Sequence, residues 1–152
     1  MDHKTKIYNA FSGPSPVERS AVLDFLTEHT EQADRREIQE AVEYALKNRP
    51  SFGGFLLTIW ENDRIVAALV ANRTGMEGYN PKHLFVYVTL HIDYLRDEKL
   101  ARELLHQAIR QADGEIAIHL KPDNPALKLY EKLGFTTQYL ELRLQTQKAA
   151  TA

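Results

Sequence analysis

The chain has 152 residues, 43% of them hydrophobic and 26% charged, with a formal net charge of −2 and no cysteine. That length and apolar content suit one compact domain over residues 1–152 with a buried core, and exclude a disordered chain. The near-neutral charge excludes a strongly basic nucleic-acid-binding field, and the missing cysteines exclude disulfides, a thiolate nucleophile and Cys-ligated zinc.

Met1 to Lys6 lead into a short apolar stretch cut by Gly13 and Pro14, without the pattern of a secretory signal. No apolar run approaches the roughly eighteen residues of a membrane span. A cytoplasmic protein with no membrane partner is the expectation.

Taken in order, Lys6 to Phe11 reads as a short strand. Ser15-Pro16-Val17-Glu18 is a helix start, with Ser as N-cap, Pro at the first helical position and Glu at the capping-box position. Val22, Phe25 and Leu26 follow at helical spacing. Asp34-Arg35-Arg36-Glu37 opens a second helix with Ile38, Val42, Ala45 and Leu46 on its apolar face, and Pro50 is expected to end it. Phe55 to Trp60 and Ile65 to Ala71 are strands joined by the hairpin signal Glu61-Asn62-Asp63-Arg64. After the Gly- and Pro-containing loop Arg73 to Pro81 comes a strand from His83 to His91. Asp97 to Ala112 is a helix stopped by Asp113-Gly114, and Glu115 to Leu120 is a further strand.

Asn124 to Gly134 is punctuated as a helix, with Asn124 as N-cap, Pro125 at the first helical position and Gly134 as C-cap. Leu140, Leu142 and Leu144 alternate with Glu141 and Arg143, which predicts a half-buried last strand. The end from Thr146 to Ala152 reads as frayed. The order β-α-α-β-β-β-α-β-α-β predicts an α/β domain with a mixed, mostly antiparallel central sheet flanked by about four helices.

The run from Asn124 through Ala126 and Tyr130 to Gly134-Phe135 resembles the C-terminal motif of the GNAT superfamily of acyl-CoA N-acyltransferases, at that family's spacing. The element order is similar along the whole chain, most clearly from Phe55 to Phe135. Arg96-Asp97-Glu98-Lys99-Leu100-Ala101 resembles the family's Arg/Gln-x-x-Gly-x-Gly/Ala loop, with Lys99 standing where the central Gly is expected. Such a Gly permits positive φ and close backbone approach, which a Cβ restricts.

The resemblance implies an N-acetyltransferase using acetyl-CoA as co-substrate and no metal. Its acceptor is expected to be a small-molecule or peptide amine, and its state a monomer or homodimer. Backbone N–H groups of Arg96, Asp97, Glu98, Lys99, Leu100 and Ala101 are expected to hold the CoA pyrophosphate at a helix N-terminus. Val88, Thr89 and Leu90 are expected to pair with the pantetheine arm as an added strand does, and Asn124 to lie near the cofactor.

Tyr130 takes the general-acid role by the same resemblance. A phenol with an ordinary pKa near ~10 is protonated at neutral pH and can donate to a leaving thiolate. Its plain alternative is a core tyrosine between Leu129 and Leu133. His91, Asp93 and Glu61 are candidate bases, each with a solvated or hydrogen-bonded structural reading beside it, and the amine can instead lose its proton to water. Arg35, Arg36, Arg73, Thr74, Gly75, Met76 and Tyr79 are candidate acceptor-rim residues or plain surface positions. Histidines 3, 29, 83, 91, 106 and 119 are scattered and predict no metal site. The rival class is a GNAT-fold domain that binds CoA or another ligand, or a partner, without catalysis.

Overall fold

The strands that the hairpin and crossover signals predict do assemble into one five-stranded sheet. The computed structural model describes residues 3–31, 34–47, 53–75 and 77–147. It divides into two compact units, Met1–His119 and Leu120–Ala152.

The first unit contains β1 (His3–Tyr8), α1 (Pro16–His29), α2 (Arg35–Ala45), β2 (Gly54–Glu61), β3 (Arg64–Arg73), β4 (His83–Leu90), α3 (Glu98–Gln111) and β5 (Ile116–Ile118). Sheet order follows sequence order. β1 to β4 pair antiparallel, and β5 joins β4 in parallel after the α3 crossover. The first strand lies earlier than the expected Lys6 to Phe11. Asn9 ends it, because its side-chain oxygen accepts the N–H groups of Phe11 and Ser12, both at 2.9 Å, and turns the chain.

The capping box of α1 forms as its sequence predicts. Glu18 N–H donates to Ser15 Oγ at 3.1 Å, and Ser15 N–H donates to Glu18 Oε1 at 3.0 Å. The other Glu18 oxygen accepts from Tyr8 Oη at 2.7 Å and Lys6 Nζ at 3.1 Å, so the cap also ties the helix to β1. These donors, the Ser15 N–H first, hold the Glu18 carboxyl down at about 2. Asp34 caps α2 through the Arg36 N–H at 2.9 Å. That helix ends at Ala45; the Pro50 expected to stop it lies outside the described residues.

β2 begins at Gly54 for a steric reason. Its φ is +143°, and a Cβ there would meet the Ala71 carbonyl oxygen at 1.9 Å. Beyond it the chain alternates between two cores. Leu56, Trp60, Ala68 and Val70 pack with Val22, Phe25, Leu26, Ile38 and Val42 of α1 and α2. The intervening Leu57, Ile59 and Leu69 are equally buried, and α3, with Leu100, Leu104, Leu105 and Ala108 inward, packs on β2 and β3.

The second unit contains α4 (Leu127–Lys132). Two expectations are corrected here. Asn124 does not cap the helix; its Oδ1 accepts the Ala126 N–H at 2.8 Å and its carbonyl accepts the Leu127 N–H at 3.1 Å, so residues 124–127 form a turn. The helix begins only after that turn. Gly134 does terminate it in the left-handed region, at φ +103°.

The predicted strand over Leu140 to Leu144 is absent: those residues have no strand pairing, and the three leucines are 87–92% exposed. Alternation specifies a strand only where an edge and a covering layer receive it. Met76 and residues 148–152, within the loop and tail readings, lie outside the described residues.

Candidate active site

One edge of β4 is left open, and the site is built around it. β5 pairs β4 only through His83, Leu84 and Phe85. From Val86 to Leu90 the outer edge of β4 has no strand partner among the described residues, so alternate N–H and C=O groups face outward. Val88, Thr89 and Leu90, predicted to face the cofactor, lie on this edge.

The β3–β4 register shifts between Val70 and Ala71, where Val70 opposes Tyr87 and Ala71 opposes Phe85. Val86 is the extra residue of this bulge. Val86 and Tyr87 therefore both turn toward the core under α1 and α2, where both pack. A cleft of about 260 Å³ opens there, lined by Glu37, Glu40, Ala41, Tyr44, Asn72, Val86 and Tyr87. Glu37 and Glu40 have no ion-pair partner among the described residues. Burial, then the charges of Glu37, Asp34 and Glu40, push the Tyr87 phenol above its ordinary pKa.

This acidic cleft was missed by sequence reasoning, which pointed to Arg35 and Arg36 on the same helix. Arg35 is instead paired with Asp24 at 3.0 Å and is half exposed. Helical spacing of Glu37, Glu40, Ala41 and Tyr44 was the signal available, but the β-bulge that completes the cleft has none.

Beyond Leu90 the chain makes a single 3-10 turn, Ile92–Tyr94, and reaches the start of α3. Asp97 is the N-cap of α3, its side chain accepting the Leu100 N–H at 2.9 Å. Its carbonyl accepts the Ala101 N–H at 3.1 Å, and the Glu98 N–H donates to the Arg96 carbonyl at 3.1 Å. Arg96, Glu98 and Lys99 are exposed, whereas Leu100 is a core residue offering only its backbone. Glu98 pairs with Arg102 at 3.2 Å. The segment expected to receive a diphosphate thus carries two carboxylates at the positive end of a helix.

Of the candidate bases, His91 and Glu61 are engaged through their side chains, whereas the Asp93 carboxylate is mostly exposed. Asp93 N–H donates to His91 Nδ1 at 3.1 Å, so neutral His91 carries its proton on Nε2 and has no lone pair to spare. Glu61, 6% exposed, accepts from Tyr94 Oη at 2.6 Å, and this hydrogen bond holds its carboxyl below the usual range. Glu61 and Tyr94 line a separate cleft of about 560 Å³ with His3, Asp97, Lys99, Leu100 and Glu103.

In the second unit Tyr130 is 5% exposed, with the Phe135 ring edge-on at 5.6 Å. Burial pushes its phenol up to about 12, so it is a neutral donor throughout the physiological range.

Residues 17–135 match the model of the acetyltransferase (GNAT) family. No curated protein matches the sequence. Among solved structures, the fold is similar to aminoglycoside N-acetyltransferase AAC(6')-Iy bound to a bisubstrate analogue, at a TM-score of 0.68 and 11% identity over 94% of this chain and 98% of that one. The ribosomal-protein-S18-alanine N-acetyltransferase of Escherichia coli aligns at 0.63 and 14% over 90% and 80%. An acetyltransferase of Trypanosoma brucei aligns at 0.61 and 17% over 95% and 100%.

Proposed function

This chain belongs to the GNAT acetyltransferase family, and we propose that it transfers the acetyl group of acetyl-CoA to a primary amine by direct attack. The open β4 edge from Val86 to Leu90 carries this reading, because an extended pantetheine arm can hydrogen-bond there as an added strand does. The amine nitrogen bonds to the thioester carbonyl carbon, the C–S bond breaks and the thiolate leaves. The amine gives up its proton.

Tyr130 is the proposed donor to that thiolate. With the phenol near 12 and an ordinary thiol near ~8.5, complete proton transfer is uphill. Its contribution is therefore a hydrogen bond that strengthens as charge builds on sulfur. Since His91 Nδ1 is occupied and Glu61 is a weakened base, the amine is proposed to lose its proton to water.

The backbone of Arg96 to Ala101 is the proposed diphosphate site, with Asn124 near the cofactor. The two units are proposed to work as a single catalytic domain, since the family match runs through both. The acidic cleft of Glu37 and Glu40 favours a cationic acceptor. Amines are also what the neighbours' names specify, an alanine of a ribosomal protein and aminoglycosides. No helix among the described residues is long and apolar enough to cross a membrane; a cytoplasmic location is proposed, as is a monomer or homodimer.

The test is release of free CoA thiol from acetyl-CoA across a panel of amines, with the acetylated product identified by mass spectrometry. Turnover with at least one amine supports the enzyme. The Asp97 carboxylate already seated on α3 favours a second reading, a domain that binds CoA weakly and transfers nothing. Calorimetric binding of acetyl-CoA without turnover on any amine would select it.

A further inference from the structure

A histidine that the proposed chemistry does not use sits against the exit of β4. The His29 ring, at the last position of α1, lies between Phe25 at 4.7 Å and His91 at 4.2 Å. Its side chain is only 3% exposed. The Ile92 N–H, in the turn after β4, donates to His29 Nδ1 at 3.2 Å. One residue on, Thr30 Oγ1 and Thr89 Oγ1 share a hydrogen bond at 2.9 Å. The end of α1 is therefore fastened to β4 on both sides of Leu90.

These bonds require neutral rings. A neutral imidazole that accepts at Nδ1 carries its proton on Nε2. His29 accepts from Ile92 in this way and His91 from Asp93. Protonation places a second N–H on Nδ1, pointing at a backbone N–H, and the acceptor is lost. Two charged rings with centroids 4.2 Å apart also repel.

The surrounding charges oppose this only in part. Glu28 Oε2 of α1 lies 3.8 Å from His29 Nε2, and Asp93 Oδ2 lies 3.6 Å from His91 Nδ1, yet both carboxylates are mostly exposed. Tyr94 faces His91 edge-on at 6.1 Å, but its hydroxyl is committed to Glu61 of β2. Phe25 brings no charge.

We propose that His29 is a positioning residue: its neutral stack with His91 holds the turn that carries the chain from β4 to the start of α3, and protonation of the pair releases that turn. The consequence for cofactor binding rests on the acetyl-CoA site proposed above; the latch itself does not.

The first readout therefore needs no cofactor. Burial, then the charge of His91, holds the His29 ring below its ordinary pKa. Nitrogen-15 NMR of the full chain is therefore followed from about pH 8 to below the ordinary imidazole range, and should show His29 and His91 as Nε2–H tautomers at the upper end. The Ile92 amide should lose protection from exchange as His29 takes up a proton. His29→Asn supplies a non-titrating acceptor in place of Nδ1, and His29→Phe keeps a ring without an acceptor. Ile92 protection should be independent of pH in His29→Asn and absent throughout in His29→Phe.

Acetyl-CoA affinity, measured by calorimetry, should fall about tenfold or more over the same pH range in the wild type and much less in His29→Asn. An Nδ1–H tautomer at neutral pH, or an unchanged Ile92 profile in His29→Asn, overturns the proposal. Acetyl-CoA failing to bind at any pH removes the cofactor site and leaves the NMR result to decide the latch.

Discussion

The Asp97 carboxylate accepts the Leu100 N–H at 2.9 Å, so the first turn of α3 holds an anion of its own. A CoA diphosphate arriving there must displace this carboxylate or bind beside it. An acidic N-cap stabilises the helix, and the same charge repels the ligand that the turn is proposed to bind.

Asp97→Ser keeps a capping oxygen and removes the charge. Acetyl-CoA should bind about two- to fivefold more tightly, the range a single charge at a helix terminus supplies. Titration calorimetry at low and high salt checks this, with the gain shrinking as salt rises. Equal or weaker binding would place the diphosphate elsewhere.

Tyr130→Phe keeps the buried ring and its edge-on contact with Phe135 but removes the donor. We expect kcat to fall by about tenfold or more while the calorimetric Kd for acetyl-CoA stays within about twofold. An unchanged kcat would return Tyr130 to the core-packing role that its 5% exposure also fits.

Glu37 and Glu40 line the cleft beside Tyr87. In the double variant Glu37→Gln, Glu40→Gln the KM for a diamine such as putrescine should rise about two- to fivefold for each lost charge, as partly exposed pairs allow. The KM for n-butylamine, which lacks the second, non-reacting ammonium, should rise less. Steady-state assays with the two amines decide the point: no change with either amine removes the cleft from acceptor recognition.

Glu18 links stability to pH. Its carboxyl lies near 2 in the fold and at about 4.3 when unfolded. The folded state thus binds fewer protons between these values, and this stabilisation is present above the unfolded value and lost as pH falls toward 2. Glu18→Gln should flatten that acid-side fall in thermal denaturation. At neutral pH Ser15→Ala should cost about 1 kcal/mol, or roughly 2–4 °C in Tm. No change in Ser15→Ala would mean the cap contributes nothing beyond what water supplies.

Residues close in sequence determined what local chemistry can specify. Ser15-Pro16-Val17-Glu18 and Asp34 started their helices because a capping oxygen needs only an N–H two or three residues away. Glu61 to Arg64 made its hairpin by the same short-range logic, with Asn62 in the left-handed region. The apolar runs predicted β2, β3 and β4, and the Asn124-to-Phe135 motif led to the family.

Local signals failed where the outcome depends on distant partners. Asn124 offered the right atom for a cap and used it on a turn. Leu140 to Leu144 had a strand's alternation and no strand to join. Tertiary structure alone decided that β5 stops pairing at Phe85, that a bulge turns Val86 and Tyr87 to one face, and that His29 meets a backbone N–H 63 residues away. Register and edge pairing depend on every strand and helix packing at once, and no single stretch of sequence contains that sum.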